Sequence, residues 1–109
     1  MKPITSEALF HEALALDRAL LFKHSPICNV SDNAMRHMER FRAGHADLPV
    51  YIVDVVHDRP LSRKIESHCG VRHQSPQVLL LENGEVVWHD SHFRITEESL
   101  VKHVVSRAD

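Results

Sequence analysis

The sequence predicts an α/β fold in which a central mixed four-stranded sheet is flanked by helices, in the order α-β-α-β-α-β-β-α. Three observations carry this expectation. Apolar residues recur at helical spacing near the start, after Cys28 and at the end of the chain. Val50-Tyr51-Ile52-Val53-Asp54-Val55-Val56 is a near-continuous β-branched run, as expected of a strand covered on both faces. Asn83-Gly84 separates two apolar runs, the strongest short-range hairpin signal.

Each element follows from local chemistry. Thr5 or Ser6 is placed to cap a first helix through about Leu16, with Ala8, Leu9, Ala13 and Leu16 as its apolar face. A strand is expected from Arg18 to His24. After Cys28, Val30, Ala34, Met38 and Phe41 form one helical stripe, and Gly44 sits where a left-handed residue would end the helix. Met35 and Met38 belong to that packing. The 50–56 run completes a βαβ unit, whose crossover should be right-handed. Pro60 suits the first turn of a short helix to about His68, and Gly70 breaks it. Gln77–Glu82 and Glu85–His89 then form an antiparallel ribbon around Asn83-Gly84. Thr96-Glu97-Glu98 supplies a cap and first-turn acids for a last helix with Leu100, Val101, Val104 and Val105 on its apolar side.

Composition narrows the function classes. With 109 residues, 43% hydrophobic and 26% charged, the chain supports one domain over residues 1–109. A formal net charge of −2 argues against nucleic-acid or anionic-membrane partners. No apolar run approaches the roughly 18 residues of a membrane span, and Met1-Lys2-Pro3-Ile4-Thr5 lacks the apolar core of a secretory signal, so a cytoplasmic protein is expected. In that compartment its two cysteines, Cys28 and Cys69, should rest as thiols.

The chemistry centres on Cys28. It lies at a strand-to-helix junction, where unpaired N–H groups and the helix dipole favour a thiolate, with Lys23 and His24 as candidate additional positive charge. The plain alternative is a buried structural cysteine. Ser31 makes the segment Cys28-Asn29-Val30-Ser31 a Cys-x-x-Ser, one helical turn long, so its hydroxyl is a candidate hydrogen-bond partner of the thiolate but cannot resolve a disulfide. Cys69 is a candidate resolving thiol, if its Cα lies within about 7 Å of that of Cys28. Metal binding is the rival chemistry. His89-x-x-His92 and the group His68, Cys69 and His73 have imaginable spacings, but no Cys-x-x-Cys or His-Glu-x-x-His pattern supports a site, and no metal is expected.

The element order, with a cysteine opening the second helix and a proline just before the hairpin, resembles the thioredoxin fold over nearly the whole chain. Residues 22–31 (Phe22-Lys23-His24-Ser25-Pro26-Ile27-Cys28-Asn29-Val30-Ser31) and 70–78 (Gly70-Val71-Arg72-His73-Gln74-Ser75-Pro76-Gln77-Val78) resemble the monothiol bacilliredoxin (YtxJ-like) family. Asn83-Gly84 and Trp88-His89-Asp90-Ser91-His92 add to the likeness. The resemblance implies a thiol-disulfide oxidoreductase that takes a low-molecular-weight thiol, bacillithiol or similar, from S-thiolated proteins. On that reading Cys28 is the nucleophile, Pro76 a cis-proline, and Ser75 and Pro76 the rest for the substrate. No cofactor is bound; the small thiol is a co-substrate, and the partners are S-thiolated proteins and a small thiol or thiol reductase. The chain departs from the family pattern at Asn29, where a proline usually follows the cysteine. Phe22 stands where the fold's dithiol members carry a buried aspartate. Two other readings stay open: a redox-inert binding or adaptor domain, and a dithiol reductase using Cys69.

Overall fold

Two apolar layers, one on each face of a single sheet, organise the protein. Its structure is a computed structural model that describes residues 1–106, so the last three positions of the expected domain, 107–109, lie outside the described residues. The elements are β1 (Lys2–Pro3), α1 (Glu7–Leu14), β2 (Arg18–His24), α2 (Asn29–Gly44), β3 (Val50–Asp54), α3 (Arg59–Cys69), β4 (Gln77–Glu82) and β5 (Glu85–Ser91). A short 3₁₀ turn (His92–Arg94) leads to α4 (Glu97–Leu100), which widens into a π-helical turn over Val101–Val105.

The sheet has five strands rather than the four expected, in the order β1-β3-β2-β4-β5. β2 and β3 pair in parallel, β4 runs antiparallel to β2, and β5 antiparallel to β4. The extra strand is β1, in register with Tyr51 and Ile52 of β3, with the Ile4 N–H donating to the Ile52 carbonyl at 2.8 Å. Two residues are too few to show a period, and Pro3 argues against a strand except at an edge.

Side chains alternate across β2 and divide the core. Ala19 and Leu21 join Tyr51, Val53, Leu79 and Leu81 under α1 and α3. Leu20 and Phe22 join Val78 and Leu80 under α2 and α4, where Ala34, Met38, Phe41, Leu100 and Val104 pack. α2 continues through Gly44, and His45, with φ −139° and ψ 58°, ends it, so Gly44 is not the left-handed terminator expected. His45 instead stacks on Phe41, and its Nδ1 lies 2.9 Å from the Phe41 carbonyl oxygen. α3 does end as expected, at Gly70 with φ +69°. Asn83 and Gly84, with φ +51° and +81°, form the tight turn that pairs β4 with β5. The last helix departs from its apolar pattern at Val101, which the wider turn leaves exposed. Among the described residues no helix is long and apolar enough to cross a membrane.

Candidate active site

The site is built where β2 hands over to α2. Cys28 is the N-cap residue of α2: its backbone is extended, its carbonyl accepts from Asp32 N–H at 3.0 Å, and no side chain caps the helix. Cys28 therefore opens a sixteen-residue helix whose first-turn N–H groups meet no capping side-chain acceptor from the N-cap residue. The Cys28 N–H donates to the Ser25 carbonyl at 3.2 Å, which closes the Ser25–Cys28 turn.

Ser31 holds that turn from below. It is fully buried, and its Oγ accepts from the Ser25 N–H at 3.0 Å and lies 2.7 Å from His24 Nδ1. This geometry suits a Ser31 hydroxyl that donates to a His24 ring protonated on Nε2. Burial lowers the His24 pKa, against the opposing pull of Asp32 and Asp54, and favours that neutral ring. Among the described residues no hydrogen bond joins Ser31 to Cys28, so the anticipated hydroxyl-to-thiolate contact gives way to a positioning role at the junction.

Lys23 points to the other face of β2, toward α3. It is 0% exposed, and its Nζ donates to Gln77 Oε1, directly across the β2–β4 ladder, at 3.1 Å. Burial pulls its pKa down to about 8, while the charges of Glu66 and Cys69 act in the opposite direction. Its own charge bears on Cys69 and His73: burial raises the Cys69 pKa and Lys23 partly offsets this, while burial and Lys23 together lower that of His73. Glu66 accepts the His73 N–H at 2.6 Å, and Ser62 Oγ lies 3.3 Å from His73 Nδ1.

Above this cluster opens a cleft of about 470 Å³. Cys28 and Ser25 line it from the β2–α2 junction, Ser75 from the loop before β4, and Arg59, Arg63 and Glu66 from one face of α3. The Ser75–Pro76 peptide bond is cis, and the Pro76 carbonyl accepts from His92 N–H at 3.0 Å. Cys28 and Ser75 thus meet in one cleft although they lie 47 positions apart along the chain. Cys69, at the last turn of α3, packs against the core and does not line the cleft. Both cysteines are free thiols. Ile27, beside the nucleophile, is 81% exposed.

The sequence model of the monothiol bacilliredoxin family, BrxC, matches residues 2–100. The chain belongs to this family. Bacilliredoxins of this type are thiol oxidoreductases on a thioredoxin fold, and a solved structure agrees. A protein assigned as an oxidoreductase with a thioredoxin fold is 30% identical, with a TM-score of 0.86 over 93% of this chain and 90% of the other. More distant likenesses show the fold alone. A mutant thioredoxin from Halobacterium salinarum is 19% identical with a TM-score of 0.80, over 99% of this chain and 90% of that one. Oxidised thioredoxin from Plasmodium falciparum is 14% identical with a TM-score of 0.78, over 100% and 99%.

The bacilliredoxin cleft contains residues that sequence reasoning did not single out. Arg59, Ser62, Arg63 and Glu66 recur at helical spacing along α3, a polar face that was legible as such, but not its position over Cys28. His73, which the sequence offers within the 70–78 stretch and as a candidate metal ligand, lines the cleft beside Ser62 and Glu66. His68 is occupied elsewhere, edge-on to Phe10 and His11. Among the described residues no three His, Cys, Asp or Glu side chains are grouped to hold a metal ion.

Proposed function

We propose that this protein is a one-thiol exchanger that takes bacillithiol, or a similar small thiol, from S-thiolated proteins onto Cys28. The observation that carries the reading is the cleft itself, in which Cys28 is the one thiol among the described lining residues. The Cys28 thiolate attacks the sulfur of the small thiol in the mixed disulfide. That S–S bond breaks, the target protein leaves as its thiolate, and a new disulfide joins Cys28 to the small thiol. A second small-thiol thiolate then attacks the sulfur held by Cys28, releasing a symmetrical small disulfide and regenerating Cys28. Exposed Ile27 offers apolar contact for the protein partner beside the reacting sulfur.

Burial against the core raises the Cys69 pKa and keeps this thiol off the cleft wall, which weighs against the dithiol route. The test is transfer from an S-thiolated model protein, followed by mass spectrometry. Cys28→Ala should reduce transfer to background, while Cys69→Ala should retain it within about twofold. Transfer that survives in Cys28→Ala, or that needs Cys69, would overturn the proposal.

A further inference from the structure

Two large apolar side chains stand in water at the reactive end of the molecule. Ile27, 81% exposed, immediately precedes the nucleophile, and Phe93, 68% exposed, lies on the 3₁₀ turn after β5. Far apart in sequence, they are brought to one region by the strand ends. The His92 N–H donates to the Pro76 carbonyl at 3.0 Å, which fixes that turn beside the Ser75–Pro76 loop, and Ser75 lines the cleft together with Cys28. Val56, partly buried, lines the same cleft from the segment between β3 and α3. Three separate turns thus bring an apolar side chain to the surroundings of one reactive sulfur.

Folding gives little reason for Phe93. Its ring forgoes most of the burial that stabilises an aromatic side chain, so a polar residue would serve the fold as well. Yet the turn that displays it is held at both ends. His92 is left-handed, with φ +55°, a conformation that is costly for a residue with a Cβ and that only Asn83 shares among the described non-glycine residues. On the other side Ile95 is 0% exposed, and its N–H donates to the His92 carbonyl at 3.2 Å. Phe93 is therefore kept outward by a strained residue before it and a buried one after it. Single exposed apolar residues are ordinary, as at Val101 on the last helix. What distinguishes Ile27 and Phe93 is that both border the cleft of Cys28.

We infer that Ile27, Val56 and Phe93 form a docking rim for the protein half of the substrate, one that selects target cysteines flanked by apolar residues. The inference rests on the exchange reading and deepens it by stating which protein cysteines are served. Cys28 reaches a disulfide carried by a protein only when the target's backbone passes over the mouth of the cleft, so the neighbours of the target cysteine lie against the rim. An apolar neighbour there takes its own surface and that of Ile27 or Phe93 out of water together. A charged neighbour would lose hydration against the same side chains and gain no partner. Because Phe93 is already fixed by the turn that carries it, little conformational freedom is lost when a target covers it.

The test uses two short peptides with blocked ends, each carrying a central cysteine capped as a mixed disulfide with 2-mercaptoethanol. Leucines flank the cysteine in one and glycines in the other, and the cap is the same in both, so any contribution of the small thiol cancels. The Cys28 thiolate attacks the cap sulfur, the S–S bond breaks, the peptide leaves as its thiolate, and the cap stays on Cys28 as a new disulfide. Rates of cap transfer are read by mass spectrometry. Wild type should favour the leucine peptide about tenfold. In Phe93→Ser that ratio should fall about fivefold, and in Ile27→Ser/Phe93→Ser to about unity. Val101→Ser, which removes an exposed apolar side chain from the last helix, should leave the ratio within about twofold. An unchanged ratio in Phe93→Ser, including an equal slowing with both peptides, or an equal fall in Val101→Ser, would overturn the inference. So would a wild-type protein that sediments as a dimer and becomes monomeric in Phe93→Ser, since a second copy would then cover the rim. A wild type that takes the cap from neither peptide would overturn the exchange reading instead.

Discussion

Lys23 is the residue whose environment departs furthest from expectation. Its side chain is wholly buried under α3 with a single hydrogen bond, to Gln77 Oε1, and burial holds its pKa near 8 against an ordinary 10.5. Between those values the unfolded chain binds the extra proton, so stability must rise with pH across that window; below about pH 8 both states are protonated and the folded state bears the cost of a buried ammonium. The gain from low to high pH is at most about 3 kcal/mol. In Lys23→Met, this rise relative to wild type should vanish, as measured by urea denaturation at about pH 7 and about pH 10. Sequence placed Lys23 as extra charge for Cys28. The alternation of β2 made its face legible, but not what covers it, because Gln77 lies 54 positions away and Glu66 and Cys69 come from a different helix. Ser31 was legible as the residue in place of a second thiol. Its bonds to Ser25 and His24 depend on the turn that Pro26 and Ile27 make and have no signature in spacing.

At the scale of elements, most of what was legible lay in terminators and turns. Pro60 and Gly70 marked α3, and Asn83-Gly84 marked the hairpin, because these residues supply a fixed first-turn φ and left-handed backbone that few others can; the Asp58 side chain that caps α3 was not singled out. The two glycines should differ when replaced. A Cβ at Gly70 meets nothing within 4 Å, so Gly70→Ala should cost only the left-handed strain, about 1 kcal/mol. At Gly84 the same atom would lie 3.0 Å from the Leu14 carbonyl oxygen, so Gly84→Ala should cost about 2 kcal/mol or more. Equal losses by chemical denaturation would contradict this account. Gly44 misled because its neighbour His45 ends α2 by stacking on Phe41, a tertiary contact that propensity does not register. The wide turn at Val101–Val105 escaped for a similar reason, since apolar spacing fixes a helix face but not a change in its winding.

Across the whole molecule, β2 and its neighbours separate two packed layers that do not share side chains. Phe41 lies in the layer under α2 and α4, and Ile65 in the layer under α1 and α3. Phe41→Ala should cost about 3–5 kcal/mol and Ile65→Ala about 2–5 kcal/mol. If the sheet insulates the layers, the double variant should lose the sum within about 0.5 kcal/mol, and a larger deviation in denaturation would show coupling through the strands. The small strand β1 bears on this architecture in another way. Without it, the parallel strand β3, with Val50, Tyr51, Ile52 and Val53 in succession, would present an open row of backbone donors and acceptors at the margin of the sheet. Lys2 and Pro3 occupy that margin with a charge and with a residue that has no N–H to offer. Lys2, Pro3 and Ile4 thus close the part of the β3 margin around Tyr51 and Ile52 to any further strand, because its pairing groups are already met from within the same chain.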